Sequence, residues 1–237
     1  FITAIGNDQE GKNLKTALER VNVKVLHPMS NGTQPRYLAI HDSRGDMIIA
    51  VSDMELLQSI TSDYINQVDI LKDYKHLVLD TNVSDEVIKY IFENFNGKIY
   101  VDAISTTKAL KIKPYLNKIY LLKCNILEAK ALGGKLEGKE LLEKLKSFGT
   151  QNIVITSGAG NILYQAHDDS GTVKVDKIKN IVNTTGAGDA MASGIIYGMI
   201  NNLYLKESIE IGKKLSKLSL MSKDAVSSEI SKNLGLK

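Results

Sequence analysis

Features of secreted, membrane-bound and nucleic-acid-binding proteins are scarce in this sequence. It has a single cysteine, Cys124, so no disulfide can form within the chain, which fits a reducing compartment. No apolar run approaches the roughly 20 residues that span a bilayer, and no signal-peptide pattern is visible. The net charge is only +3, and the lysines are dispersed rather than grouped in a basic tract. We therefore expect a cytoplasmic protein that binds neither membranes nor nucleic acid.

The 237 residues suit one large domain, or one domain with a small appendage. Strand-like and helix-like runs alternate along most of the chain, which predicts a parallel sheet with helices on both faces. A turn at 42–45 makes the runs on either side of it a β-hairpin. The predicted strands are 1–5, 21–26, 36–41, 47–52, 76–80, 99–102, 119–123, 152–156, 162–165 and 173–182, and the predicted helices lie within 11–20, 62–72, 85–95, 107–116, 126–132, 139–148 and 189–200.

Parallel sheets bind ligands beyond the carboxyl ends of their strands. The candidate site residues are therefore those that directly follow a predicted strand. They are Asp80, Asp102, Asn125, the segment 156–161 and the glycine turn that ends at Asp189.

The segment Asn183-Thr-Thr-Gly-Ala-Gly-Asp-Ala190 follows a predicted strand and opens a predicted helix. Its glycines permit a tight turn, and the N–H groups of Gly186, Ala187 and Gly188 can point at one place. The helix N-terminus adds partial positive charge there, so the place suits an anion such as phosphate. Asp189 would repel that anion unless it has a task, such as accepting a proton from an attacking hydroxyl. The alternative is an ordinary helix start that carries glycine and an N-terminal aspartate.

Asn125 and Glu128 lie three residues apart at the start of another predicted helix, directly after a strand. This spacing puts both side chains on one helical face at the ligand-binding edge of the sheet. Glu128 could hold a hydrated Mg²⁺, which takes only one or two carboxylates from a protein. Alternatively, Asn125 is an N-cap and Glu128 is its capping-box partner.

A second glycine turn, Thr156-Ser-Gly-Ala-Gly-Asn161, also follows a buried-strand pattern. Its glycines would allow the backbone to pass close to a nucleotide. The same residues would also form the tight turn of a hairpin that leads into 162–165. The sequence alone leaves both interpretations open.

Together, these three segments resemble the ribokinase-like (pfkB) carbohydrate kinases in their order and spacing. The resemblance covers nearly the whole chain and begins at Ile5-Gly-Asn-Asp-x-x-Gly11, which is similar to an early glycine–aspartate segment of that family. It implies a three-layer α/β/α sandwich with a mostly parallel central sheet and a small β-lid. The main domain would comprise 1–20 and 54–237, and the lid, which often pairs between subunits, would comprise 21–53.

The resemblance also implies roles for the motif residues. Asp189 would be the base that activates the substrate hydroxyl, and the N–H groups of Gly186, Ala187 and Gly188 would form an anion hole. Asn125 and Glu128 would organise Mg²⁺ and the phosphates of ATP. In phosphoryl transfer, such positioning and charge neutralisation carry most of the catalysis. Three further residues would line the nucleotide site, and they are Thr156, Gly158 and Thr185.

Within that family, the segments 36–40, 45–47 and 50–54 are most similar to pseudouridine kinases. Asn183 also favours the pseudouridine kinases, because they commonly have asparagine at this position whereas most of the family has aspartate. The resemblance thus implies ATP-dependent phosphorylation of pseudouridine at its 5′-hydroxyl. We also expect a homodimer, because the apolar side chains of 36–41 and 47–53 are more than a lone hairpin can hide. The alternatives are a kinase for ribose, another nucleoside or a phosphosugar, and a non-catalytic nucleotide- or nucleoside-binding homologue. The retained Asp189 argues against the last, because an anion binder gains nothing from a carboxylate there.

The chain departs from the family's pattern at several places. Asn161 stands where the nucleotide loop usually ends in glycine, but asparagine tolerates a left-handed backbone. Asn183 replaces an aspartate that helps to hold a monovalent cation in related kinases, so dependence on K⁺ is uncertain. Ala103 replaces the proline that usually follows Asp102. The family's first strand, its sugar-binding aspartate and its Gly-Gly segment would lie upstream of Phe1, so we expect this chain by itself to bind sugar poorly.

Overall fold

The computed structural model describes residues 1–41 and 47–234, and the chain divides into two compact units. The first unit comprises 1–74 and 82–96, and the second comprises 75–81 and the chain from 97 onward. The first unit includes the whole predicted lid, whose boundaries stay a prediction. None of the described helices has both the length and the apolar character that crossing a bilayer requires.

Strands in the described part of the chain form two separate sheets. They are β1 (Arg36–His41), β2 (Met47–Asp53), β3 (His76–Asp80), β4 (Lys98–Asp102), β5 (Leu121–Asn125), β6 (Asn152–Thr156), β7 (Ile162–Gln165) and β8 (Ser170–Val173). In the first unit, β1 and β2 pair antiparallel. In the second unit, the order is β3-β4-β5-β6-β7-β8, with β3 to β6 parallel and the last two strands antiparallel. The predicted mostly parallel sheet is therefore confirmed.

Most of the α-helices follow a residue whose side chain can accept a first-turn N–H group. The helices are α1 (Gln9–Arg20), α2 (Ser62–Val68), α3 (Asp85–Asn94), α4 (Thr106–Ala109), α5 (Ile126–Gly133), α6 (Gly138–Ser147), α7 (Ala187–Ile200), α8 (Leu205–Leu220) and α9 (Glu229–Asn233). Five N-caps make such a bond, and they are Asp8, Thr61, Ser84, Ser105 and Asn125. Shorter 3₁₀ segments span Glu55–Ser59, Leu71–Asp73 and Leu110–Lys118.

The core of the second unit lies between the six-stranded sheet and helices α7 and α8. Tyr100, Leu121 and Val154 of the sheet are buried against Ile195 of α7 and Ile209 of α8. Helices α5 and α6 contact β5, β6 and β7. The central sheet of this unit is thus covered by helices on both faces, as the α/β pattern predicts.

The face of the sheet that packs against α7 and α8 also contributes side chains to the candidate site. Successive side chains of a strand point to opposite faces. Asp102 lies two residues beyond Tyr100 in β4, and Lys123 lies two residues beyond Leu121 in β5. Both therefore lie on the face that packs against α7 and α8.

Two of the predicted strands near the N-terminus are wrong. The segments 1–5 and 21–26 form only one isolated parallel bridge, between Ile2 and Leu26. Two backbone hydrogen bonds support it, from Thr3 N–H to Leu26 O and from Leu26 N–H to Phe1 O. A β-branched run becomes a strand only where a neighbouring strand supplies partners along its length, and one bridge does not.

The predicted strand 173–182 is also wrong, because β8 ends at Val173. The backbone N–H groups of Val182 and Asn183 instead donate to the carbonyl of Leu220 at the end of α8, at 2.8 and 3.3 Å. The helix predicted within 107–116 is mostly 3₁₀, since α4 ends at Ala109 and Pro114 lies in the next segment without an N–H to donate.

The hairpin of the first unit has apolar side chains on both of its faces. Its strands match the predicted runs, with Arg36 opposite Asp53 in register, while the predicted turn at 42–45 lies outside the described residues. A sheet of two strands cannot hide such side chains by itself. Six of them are 47–68% exposed, and they are Tyr37, Leu38, Ile40, Ile48, Ile49 and Val51.

Candidate active site

The carboxyl ends of four parallel strands bring the predicted site residues to one edge of the sheet. Asp80 of β3 is in register with Asp102 of β4, and Asp102 with Lys123 of β5. Asn125 of β5 is in register with Thr156 of β6. Because parallel strands end at the same edge, polar side chains that the sequence separates by up to 76 positions meet at one edge of the sheet. Asn125 and Thr156 lie two positions beyond the row that Asp80, Asp102 and Lys123 form.

Helix α7 begins beside this row with an N-terminus that no side chain caps. Its N-cap, Gly186, has a left-handed φ of +81° and no side chain to offer. The Ala187 N–H makes only a long contact, 3.4 Å, to the Thr184 carbonyl. Gly188 and Asp189 in the first turn are exposed. First-turn N–H groups lack intrahelical acceptors and carry partial positive charge, so the turn can accept an anion, and its role as an anion hole stays a prediction.

A neighbouring segment, 223–225, holds this glycine turn in place. The Asn183 side chain accepts the Thr185 N–H at 2.9 Å and donates to the Lys223 carbonyl at 3.1 Å. Gly186 lies so close to Ala225 that a Cβ on it would stand 2.2 Å from the Ala225 oxygen. The turn therefore needs glycine at 186 both for its left-handed backbone and for this close approach.

At the start of α5, the capping-box interpretation of Asn125 and Glu128 is confirmed. The Asn125 side chain accepts the N–H groups of Leu127 and Glu128, and Glu128 accepts the backbone N–H and the side-chain amide of Asn125 at 2.8 and 2.6 Å. Glu128 is 3% exposed. A carboxylate offers about four lone-pair sites, so these two bonds leave capacity for a metal or its waters, and the metal role stays a prediction.

A buried ion pair lies between the sheet and α7. The Lys123 ammonium donates to both carboxylate oxygens of Asp102, at 3.1 and 2.9 Å, and the two side chains are 10% and 12% exposed. A Cβ on Gly188 would lie 3.3 Å from the Lys123 Nζ. The ammonium is therefore directly beneath the first turn of α7.

Three carboxylates and one ammonium share the electrostatic field of this site. Burial raises the pKa of Asp102, the Lys123 ammonium opposes that rise, and the negative charge of Asp189 adds to it. Burial also raises the pKa of Glu128, against the Asn125 N–H and the Lys123 charge, while the Asp102 charge adds to the rise. The site thus carries an excess of negative charge that a divalent cation would offset.

This donor set fits Mg²⁺ rather than a metal held wholly by protein ligands. Among residues 1–41 and 47–234, no three His, Cys, Asp or Glu side chains lie close enough together to hold a metal ion. Mg²⁺ keeps most of its waters and takes one or two carboxylates together with substrate phosphates. Glu128 is a single buried carboxylate whose orientation the capping box fixes, and it meets that requirement.

The second glycine turn links β6 to β7, so the hairpin interpretation of 156–161 is confirmed. The Gly160 N–H donates to the Ser157 carbonyl at 2.7 Å and closes the turn. Gly158 has φ +52°, and a Cβ built on it would meet no atom within 4 Å. The turn thus leaves open space at Gly158, beyond the end of the strand that carries Thr156, and its contact with a nucleotide stays a prediction.

Sequence reasoning missed Lys123, although a signal was present. The residue interrupts an otherwise apolar run, Leu121-Leu-Lys-Cys124, in a strand that is buried on both faces. Buried lysines are rare unless they are paired, so this lysine predicts a buried acidic partner. The cross-strand register that supplies Asp102 as that partner becomes visible only in the folded sheet.

A separate polar cavity lies within the first unit, at the foot of the β1–β2 hairpin. Its volume is about 370 Å³. The hydroxyl of Ser30 is buried there without a hydrogen-bond partner among the described residues. The lining residues are Ser30, Asn31, Gly32, Thr33, Asp53, Glu55, Leu56 and Ser59.

Comparison with known proteins identifies the family of this chain. The family model for pfkB family carbohydrate kinases matches residues 1–232. The chain belongs to the pfkB family of carbohydrate kinases. This membership makes it an ATP-dependent kinase for a small sugar or nucleoside, and it confirms the family resemblance read from the three motifs.

Several pfkB relatives are similar over most of the chain. A pseudouridine kinase of Escherichia coli is 30% identical over 231 residues, which are 93% of this chain and 73% of that protein. A ribokinase of Lactococcus lactis is 26% identical over 93% of this chain and 72% of its own length. An uncharacterized sugar kinase of Escherichia coli is 24% identical over 88% of this chain, which spans 60% of that protein.

Solved structures of similar proteins confirm the ribokinase-like fold. A carbohydrate kinase from Agrobacterium tumefaciens superposes with a TM-score of 0.81 at 25% identity, covering 99% of this chain and 80% of that one. A putative ribokinase II from E. coli, solved in complex with ATP and Mg²⁺, superposes with a TM-score of 0.84 at 15% identity, covering 99% and 82%.

Proposed function

We propose that this protein transfers the γ-phosphoryl group of ATP to the 5′-hydroxyl of pseudouridine or a closely related ribosyl compound. The observation that carries the proposal is the position of Asp189, an exposed carboxylate in the first turn of an uncapped helix. A site for anions alone gains nothing from a negative charge at that position. A site that must take a proton from a hydroxyl beside a phosphate requires such a base.

In this proposal, Asp189 accepts the proton of the acceptor hydroxyl as that hydroxyl attacks the phosphorus. The N–H groups of Gly186, Ala187 and Gly188 bind the phosphate oxygens, and their fixed orientation stabilises the negative charge that develops during transfer. The contacts between the glycine turn and the segment 223–225 keep these donors in position before the substrate binds.

Glu128 and Asn125 are the residues that would hold Mg²⁺ and orient the phosphates. When bound, Mg²⁺ supplies positive charge to the phosphate oxygens of ATP. The capping box supports the assignment, because hydrogen-bonded carboxylates are fixed in one orientation before they meet a metal. Two further glycine-turn residues, Thr185 and Gly158, would face the nucleotide, together with Thr156 at the end of β6.

The proposal also covers monovalent cations, and it rests there on the hydrogen bonds of Asn183. Its amide donates to the Lys223 carbonyl, an oxygen that a cation could otherwise bind. An aspartate at this position could not donate that hydrogen bond. We therefore propose that activity does not require K⁺.

The choice of pseudouridine is supported by the relative that shares 30% identity over 93% of this chain. The segments 36–40 and 50–54, in which the resemblance to pseudouridine kinases is strongest, form the strands of the β1–β2 hairpin and the residue after it. Polar residues line the cavity at the foot of that hairpin. They are suited to hydrogen bonding with the edge of a base.

We also propose a cytoplasmic homodimer that forms through the hairpin. The hairpin exposes six apolar side chains, and an isolated two-stranded sheet with so much exposed apolar surface is only marginally stable in water. Association with a second copy of the hairpin would bury them, because identical strands with apolar residues on both faces are self-complementary.

Side-by-side measurement of kcat/KM for pseudouridine, uridine and ribose tests the substrate. Pseudouridine differs from uridine mainly by one additional N–H at the base edge. A site that accepts a hydrogen bond from that N–H rejects uridine strongly, since its acceptor would stay buried and unpaired. We expect pseudouridine to be preferred by at least about 10-fold, which corresponds to about 1.4 kcal/mol. Equal values for the two nucleosides would contradict the substrate assignment and leave the kinase assignment standing.

A further inference from the structure

We propose that Lys123 is a phosphate-binding residue of this site and that Asp102 positions it. The inference rests on the proposed function and adds a residue to it. The Lys123 ammonium would contact the phosphate oxygens beyond the α-phosphate of ATP, from the sheet side of the first turn of α7. Its partner in the fold, Asp102, would hold the ammonium at that place.

The first observation is the position of the charge. The Lys123 Nζ would lie 3.3 Å from a Cβ on Gly188, so it is beneath the turn whose N–H groups would bind a phosphate in the proposed function. The N-terminal end of a helix repels cations. The helix end therefore disfavours an ammonium at this place, and an anion bound at the turn would stabilise it.

The second observation is the unused hydrogen-bonding capacity of a buried group. An ammonium has three N–H donors. The two contacts with Asp102 engage two of them, at 3.1 and 2.9 Å, and no other acceptor for Lys123 occurs in the described part of the chain. The side chain is 10% exposed, so the remaining donor is not simply directed into bulk water.

The third observation concerns the balance of charge. The charge of Asp189 acts on Asp102, the charge of Asp102 acts on Glu128, and Lys123 is the cation that acts on both buried carboxylates. A buried ion pair is weak evidence for a purely stabilising role, because apolar replacements of such pairs are often neutral or better. An ion pair at the phosphate-binding turn has a function that apolar residues could not replace.

The test uses a double variant that removes both charges of the ion pair, so that an effect on phosphate binding can be separated from an effect on folding. Lys123→Met alone leaves Asp102 buried and unpaired, which is strongly destabilising. The double variant Lys123→Met/Asp102→Asn removes both charges with similar side-chain sizes. Dissociation constants for ATP, ADP and AMP are measured by calorimetry in the presence of Mg²⁺, and folding is followed by melting curves.

We expect the double variant to stay folded and to bind ATP about 10-fold or more weakly, with AMP affected much less, because the lost contact lies beyond the α-phosphate. Lys98→Met is the matched control, since Lys98 lies at the opposite end of β4 and its ammonium packs on the Tyr120 ring. That variant should bind all three nucleotides like the wild type.

A wild-type ratio of ATP to AMP affinity in the folded double variant would overturn the inference, while leaving the proposed phosphoryl transfer intact. If the double variant does not fold, Lys123→Gln replaces it, because the amide can still donate to Asp102 without a charge. An unchanged affinity ratio in Lys123→Gln would overturn the inference equally. Failure of the wild type to bind ATP would instead contradict the proposed function itself.

Discussion

Glu128 accepts two hydrogen bonds from a single residue, the backbone N–H and the side-chain amide of Asn125. The pair caps α5, and it also fixes the orientation of a buried carboxylate at the edge of the sheet. Helix capping and metal binding are therefore compatible roles of one arrangement. Substitution at Glu128 has to be designed so that the two roles can be separated.

We expect Glu128→Gln to raise the Mg²⁺ concentration needed for half-maximal activity, because the amide has no charge to offer the metal. It should also destabilise the protein by about 1 kcal/mol, since an NH₂ group replaces one oxygen that accepts from Asn125. The measurements are a Mg²⁺ titration of the rate and a melting curve.

The matched control for that variant is Ser84→Ala, which removes the N-cap of α3, where Ser84 Oγ accepts the Val87 N–H at 3.2 Å. It should lower stability by a similar amount and leave the Mg²⁺ titration unchanged. If Glu128→Gln also lowers stability but leaves the Mg²⁺ titration unchanged, Glu128 is a capping partner and not a metal ligand.

Asp189→Asn should lower kcat by about 10²- to 10⁴-fold, the range typical for the loss of a general base. The dissociation constant for ATP should stay close to the wild-type value, because the carboxylate is exposed and the turn is held by other residues. Asp176→Asn, which neutralises another exposed carboxylate, should leave kcat unchanged. A kcat for Asp189→Asn within a factor of two or three of wild type would show that the base has been assigned wrongly.

Gly186→Ala should destabilise the protein and abolish phosphate binding at the turn. The new Cβ would stand 2.2 Å from the Ala225 oxygen, and alanine is also strained at φ +81°. Gly138→Ala is the control, because Gly138 also has a positive φ, +51°, but no atom within 4 Å of its Cβ position, so it reports the cost of positive φ without a clash, about 1–2 kcal/mol. Equal losses of melting temperature in the two variants would contradict the proposed contact with Ala225.

Asp8 should make a pH-dependent contribution to stability. Its pKa is lowered from 3.8, chiefly because the N–H groups of Gly11 and Gln34 donate to the carboxylate, and Arg36 adds a smaller effect. A lowered pKa in the folded state means that the contribution is complete above the unfolded value and is lost as the pH falls through the folded pKa.

Asp8→Asn removes that titration. The difference in the free energy of unfolding between wild type and variant should therefore be constant near neutral pH and shrink as the pH falls below about 3.8. Urea unfolding of both proteins across this range provides the measurement. A difference that stays the same at low pH would mean that the Asp8 carboxylate is not stabilised by these contacts.

Local patterns were sufficient for the motifs and for the central strands. The run His76–Asp80 was predicted with its observed bounds, and Asn152–Thr156 likewise, because a short apolar run between turn signals specifies a buried strand. Asn125 and Glu128 lie in one turn of helix, so their contact follows from spacing alone. Family membership could be read from the same short segments.

Long-range pairing decided what these patterns left open. The run 173–182 has the composition of a strand, yet it leaves the sheet after Val173 and its end donates to the last turn of α8. Helix α8 itself, although it forms half of the helical layer against the sheet, was not predicted. Its position depends on close packing against α7, where a Cβ on Gly194 would lie 2.6 Å from the Gly212 Cα.

The sequence by itself determined the family, the alternation of strands with helices and the identity of the motif residues, since each is encoded within a few neighbouring positions of the chain. Only the tertiary structure decided that Lys123 faces Asp102 and lies beneath Gly188. The three residues lie on two strands and a helix, so their meeting depends on sheet register and on the packing of α7. Those are long-range contacts, and no local spacing encodes them.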